Sequence, residues 1–123
     1  MEDRPKREQV QSLRDFERAL EEEISVSTQF GLPLCVLVAV LEDGWDPESE
    51  NRAVGTLRVA DLVARTEGSD LAVVLPNTSL ENARKVERRL RGILPQAGIG
   101  ISELKPGDNA TDLISRARQA AAG

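Results

Sequence analysis

Residues 62–76 read LVARTEGSDLAVVLP, and this stretch decides the fold. Two short apolar runs, 62–66 and 71–75, flank Glu67, Gly68, Ser69 and Asp70. Apolar runs of strand length around four turn-forming residues make a β-hairpin. Pro76 then ends the second strand, since a proline has no N–H to give to a ladder.

Upstream, residues 34–41 (LCVLVAVL) are apolar without a break, the pattern of a strand covered on both faces. An acidic loop, residues 42–50 (EDGWDPESE), follows that run. Residues 48–60 read as a short helix with Val54, Leu57 and Val59 as apolar positions. Downstream, Leu80, Ala83, Val86, Leu90 and Ile93 recur at helical spacing, with Thr78 or Ser79 as cap and Pro95 as stop. Residues 97–102 (AGIGIS) form another short strand. The order is β-α-β-β-α-β, a ferredoxin-like core, with both helices expected on one face of a four-stranded sheet.

Two more helices flank this core. Val10, Leu13, Phe16, Leu20 and Ile24 predict one from about residue 8 to 28, ended by Gly31 and Pro33. Residues 109–122 form the last, begun by Asp108 or Asn109. The fold class is therefore α/β in the α+β sense, a ferredoxin-like core with extra N- and C-terminal helices and a single antiparallel-containing sheet. Residues 1–11 read as an N-terminal extension and helix start, and 12–123 as one domain.

Composition narrows the chemistry. With 123 residues and 40% hydrophobic side chains, the chain can bury one ordinary core. It has no histidine, which excludes imidazole bases, Ser-His-Asp triads and His-containing zinc sites. The single Cys35 excludes an internal disulfide, and its apolar surroundings make it a buried core residue. A net charge of −5 and three aromatics (Phe16, Phe30, Trp45) argue against nucleic acid. No apolar run approaches the ~20 residues that span a membrane, and the basic start leads into no apolar segment. The chain is expected to be soluble and cytoplasmic, with no membrane partner.

The hairpin and its neighbours resemble the GGDEF family, the diguanylate cyclase domains that join two GTP molecules into cyclic di-GMP. The family pattern places an Arg two residues before a G-G-D/E-E-F hairpin, then a strand ending in Pro. Here Arg65, then Glu67-Gly68-Ser69-Asp70-Leu71, then Pro76-Asn77-Thr78 stand in that order. Phe30-Gly31-Leu32-Pro33-Leu34 before the first strand and Ile99-Gly100-Ile101 late in the chain fit as well. The likeness covers the chain from about residue 12, in shortened form, and no motif is intact.

The departures bear on activity. By the resemblance, a metal-binding carboxylate would stand near the end of the first strand and another at the third signature residue. This chain has Val40 and Ser69 there, and neither supplies the hard anionic oxygen that Mg²⁺ takes. Glu42 and Asp70 lie one or two places off. The loop that would bind phosphates is shortened and carries Asp43, Asp46, Glu48 and Glu50, which repel a triphosphate. Glu67 replaces the first glycine. No catalytic residue, metal or cofactor is expected, and the chain is not expected to be an enzyme.

Many family members also have an inhibitory site for the product, built on R-x-x-D ending five residues before the signature. Arg58-Val59-Ala60-Asp61 stands in that register, and the family's further arginine falls at Arg89. A guanidinium fork matches the O6 and N7 acceptors of guanine, and a carboxylate matches its N1–H and N2–H. The resemblance thus implies a cyclic di-GMP receptor with Arg58, Asp61 and Arg89 as ligand residues and Lys85 near phosphate. The alternatives are a surface ion pair at a helix end, or a ligand-independent domain that pairs with its twin or with a signalling partner. Trp45 is expected to cap the core edge, Arg65 to pair with Glu67, and Glu21-Glu22-Glu23 to face solvent.

Overall fold

The unbroken apolar run becomes an interior strand because both of its faces find cover. The computed structural model describes residues 10–66 and 70–122; the expected extension over 1–9 and the turn residues Glu67, Gly68 and Ser69 lie outside them. Its elements are β1 (Val10–Gln11), α1 (Leu13–Phe30), β2 (Leu34–Val40), α2 (Pro47–Val54), β3 (Leu62–Arg65), β4 (Leu71–Pro76), α3 (Leu80–Ile93), β5 (Gly98–Glu103) and α4 (Ala110–Ala122). They form one five-stranded sheet in the order β1-β3-β4-β2-β5. The hairpin pairs Leu62 with Val74 and Arg65 with Leu71, and β2 lies antiparallel between β4 and β5.

Alternation along β2 sends side chains into two cores. Cys35, Leu37 and Ala39 meet Ala53, Val54, Ala83, Val86 and Leu90 of α2 and α3. Leu34, Val36 and Val38 meet Phe16, Leu20, Ile24, Leu113 and Ala117 of α1 and α4. The ferredoxin-like core therefore carries its two helices on one face, and the two terminal helices cover the other. Each fully buried Leu, Val or Phe contributes roughly 1.5–3 kcal/mol relative to exposure, so both faces matter to stability. No described helix is long and apolar enough to cross a membrane.

Local chemistry sets the element ends. Ser12 caps α1 by accepting the Asp15 N–H at 3.2 Å, and Gly31 ends it at φ 66, a conformation glycine adopts without a Cβ clash. Asn109 and Asp112 exchange backbone and side-chain bonds of 2.9 and 3.1 Å at the start of α4. Glu21 of α1 accepts the Ala110 N–H at 2.9 Å, so one of the three glutamates read as solvent-facing also ties α1 to α4.

Two elements differ from expectation. The first helix starts at Leu13, and Val10–Gln11 instead pair in parallel with Val63 and Ala64. The three-residue spacing from Val10 to Leu13 imitated a helical stripe across the Ser12 cap. The helix expected over 48–60 ends at Val54, where the Thr56 hydroxyl donates to the Ala53 carbonyl at 2.7 Å. Val59, an apolar position of that expected helix, is 89% exposed.

Candidate ligand-binding site

Where α2 stops, the chain makes a turn whose closing bonds come from the R-x-x-D spacing itself. The Asp61 N–H donates to the Arg58 carbonyl at 3.1 Å. In return the Arg58 N–H donates to Asp61 Oδ2 at 2.8 Å. Such a side-chain-to-backbone bond is how Asp stabilises a turn. Val59 and Ala60 are therefore left at the exposed tip.

The same carboxylate holds the arginine. Asp61 Oδ1 accepts from Arg58 Nη2 at 2.8 Å and from Nε at 3.2 Å. Arg58 Nη2 also donates to the Pro76 carbonyl at 3.1 Å and to Thr78 Oγ1 at 2.9 Å. The Asp61 side chain is 2% exposed while that of Arg58 is 55% exposed. Asp61 thus lies beneath, and Arg58 presents the charge to solvent.

Arg58 borders a hollow of about 220 Å³ whose other wall is α3. Lys85 and Arg89 come from that helix, one turn apart, with Val86 between them and Asn77 and Asn82 alongside. Both cations are exposed and have no carboxylate partner among the described residues. Three positive side chains thus converge on one recess in a chain of net charge −5. Small-molecule clefts usually measure roughly 300–1,000 Å³, so this one takes part of a ligand and leaves the rest on the surface.

The expected residues are therefore distributed unequally. Arg58, Lys85 and Arg89 share the hollow, and Asp61 anchors Arg58 from below. The Thr78 hydroxyl and the Pro76 carbonyl were missed as partners of Arg58. Their only signal was the P-x-T run after the strand, which carries no indication of a contact 20 residues back.

Val40 ends β2 opposite Gly98 and packs on the core shared with α1 and α4. Glu42 and Asp43 are exposed, and Asp70 pairs with Arg118 of α4 at 3.2 Å. Ser69 and Glu67 lie outside the described residues, and with them the expected Arg65–Glu67 pair. Arg65 binds Glu50 at 3.2 Å, a glutamate whose side chain is 4% exposed, and reaches the Trp45 carbonyl at 3.4 Å. Trp45 is buried in the core beside α2, as a cap on that edge. Asp46 caps α2, and the Ser49 N–H it accepts holds its carboxyl below the usual range. Among the described residues no group of three His, Cys, Asp or Glu side chains is placed to hold a metal ion.

A larger hollow of about 530 Å³ lies between α1 and α4, bordered by Glu17, Asp70 and Arg118. Its arginine already has a carboxylate partner, and among the described residues no second cation joins it, so it lacks the convergent charge of the smaller one.

No protein-family model matches the sequence, and no curated protein does. The likeness is to solved structures. The GGDEF domain of PA1120 (YfiN or TpbB) from Pseudomonas aeruginosa superposes with a TM-score of 0.82 at 21% identity, covering 92% of this chain and 88% of that one. The GGDEF domain of DgcB from Caulobacter crescentus, in complex with cyclic di-GMP, gives 0.79 at 15% identity over 92% and 81%. The active GGEEF domain of a diguanylate cyclase from Vibrio cholerae gives 0.78 at 17% over 89% and 86%. All three superpose over about nine-tenths of this chain, and the chain therefore has the fold of a GGDEF domain.

Proposed function

We propose that this chain is a catalytically inactive GGDEF-type domain that binds cyclic di-GMP at the hollow between the Arg58–Asp61 turn and α3. The observation that carries the reading is the convergence of Arg58, Lys85 and Arg89 on one recess, with Arg58 already oriented by Asp61. Guanidinium groups pair with phosphate and stack on or hydrogen-bond to guanine. Asp61 orients Arg58 first, and its carboxylate meets guanine N1–H and N2–H only when the arginine lets go of it. The DgcB domain, a structural neighbour, binds this dinucleotide.

The fold itself does not decide activity, because the Vibrio cholerae neighbour is an active enzyme. The residues support inactivity: by the resemblance, Val40 and Ser69 stand where metal-binding carboxylates would be needed, and Asp70 is engaged by Arg118. Turnover of GTP with Mg²⁺ or Mn²⁺ would overturn this part.

Calorimetric titration with cyclic di-GMP tests the binding reading. Binding at low micromolar concentration is expected, weakened about tenfold or more in Arg58→Ala, as for loss of a charge-assisted contact. Absence of heat at high micromolar ligand refutes it. A second reading, a ligand-independent interaction domain, is favoured by Val26, Phe30 and Leu32, which are 43%, 65% and 38% exposed around the end of α1. A concentration-dependent dimer indifferent to nucleotide would support that alternative.

A further inference from the structure

The proposed site contains a buried hydroxyl that the ligand reading leaves unused. Thr78 is 5% exposed, and its one hydroxyl proton goes to the Pro76 carbonyl at 2.8 Å. A hydroxyl that has committed its proton can only accept, so its lone pair is what Arg58 Nη2 meets at 2.9 Å. Asn77 between them has φ 49, a left-handed conformation that asparagine tolerates better than most residues, and it folds Pro76 and Thr78 onto the same side of Arg58.

The bonds of Arg58 can then be assigned. Asp61 Oδ1 takes the Nε hydrogen and one Nη2 hydrogen. Pro76 and Thr78 share the other Nη2 hydrogen. Of the five guanidinium hydrogens, the two on Nη1 have no acceptor among the described residues. We infer that Thr78 is a positioning residue for this site: its hydroxyl, aimed by the Pro76 carbonyl, locks Arg58 so that only Nη1 remains for an anionic ligand oxygen. This rests on the reading of the hollow as the ligand site.

The geometry restricts what Arg58 can recognise while locked. A two-point contact with guanine needs two parallel N–H groups. One edge of the guanidinium is closed by Asp61, and the other has its Nη2 hydrogen turned to Pro76 and Thr78. A phosphoryl oxygen needs a single strong donor, and Lys85 and Arg89 across the hollow add the balancing charge. Because the arginine is ordered before binding, its rotamer entropy is not lost again when the ligand arrives.

Nitrogen-15 spectra of the arginine side chains, recorded without ligand on wild type, Thr78→Val and Thr78→Ser, test the lock, alongside calorimetry with cyclic di-GMP. Wild type and Thr78→Ser are expected to show a slowly rotating Arg58 guanidinium with separate Nη signals. In Thr78→Val that rotation becomes fast and affinity falls about fivefold. Unchanged Arg58 signals in Thr78→Val, or equal loosening in Thr78→Ser, would overturn the inference. If the dinucleotide does not bind wild type but Arg58 still loosens in Thr78→Val, the ligand reading falls and the positioning role of Thr78 stands.

Discussion

At the scale of single residues, the three buried carboxylates among the described residues, Glu50, Asp61 and Asp70, each pair with an arginine, as does half-buried Asp108. Asp61 pairs with Arg58, Glu50 with Arg65, Asp70 with Arg118 and Asp108 with Arg116, at 2.8, 3.2, 3.2 and 2.7 Å. An unpaired buried carboxylate is costly, so such pairs matter most when one member is removed. Asp108 illustrates the sign. Bonds from Arg116, and after burial's opposing effect the Lys105 N–H, hold its carboxyl below the usual 3.8. A depressed carboxylate adds stability that is present above its unfolded value and is lost as pH falls through the folded one. Asp108→Asn should therefore lower unfolding free energy at pH 7 by about 1 kcal/mol, discounted because Arg116 is partly exposed. Urea titrations at descending pH should show the gap closing below 3.8; a gap independent of pH would contradict the pairing. Only the Arg58–Asp61 pair was legible in the sequence, because i and i+3 are neighbours in any turn. The other three span 8 to 48 residues, and nothing local marks which arginine meets which acid.

At the scale of elements, the sequence revealed those whose pattern has one physical solution. An eight-residue apolar run between a glycine-proline stop and an acidic loop has to be a covered strand, and β2 is one. The hairpin and α3 were equally plain. The elements that differed are short and depend on partners: β1 is two residues long and exists through its pairing with β3, and α2 stops where Thr56 turns back on Ala53. Packing of α4 on β5 is a further contact that sequence alone does not show. A β-carbon on Gly100 would collide with the Ala117 carbonyl oxygen and with the backbone of Ala120 and Ala121. These are backbone atoms that no side-chain rotation can clear. Gly100→Ala is therefore expected to destabilise toward the upper end of the roughly 1–3 kcal/mol range for overpacking, read as a lowered urea midpoint. The substitution would also press α4 away from a sheet face where Leu113 and Ala117 are fully buried. A midpoint equal to wild type would mean that α4 and β5 are not in backbone contact at Gly100.

At the scale of the whole molecule, the proposed site lies on the same side of the sheet as α2 and α3, and a ligand bound there would couple to the stability of that layer. A ligand that binds only the folded chain adds RT ln(1 + [L]/Kd), about 2.7 kcal/mol at a hundred times Kd. For a domain of this size that raises the melting temperature by about 10 °C. Cyclic di-GMP should produce such a shift and GTP a much smaller one. The choice of variant decides whether the result can be interpreted. Arg58→Ala leaves Asp61 buried with no guanidinium, so the free protein should itself melt lower, and part of any lost shift would reflect a disturbed turn. Arg89 is exposed on α3 and bonds no carboxylate among the described residues. Arg89→Ala should therefore melt with wild type when free and fall behind it by several degrees when cyclic di-GMP is added. If both curves move together in the presence of the dinucleotide, Arg89 does not touch it and the hollow is not where it binds.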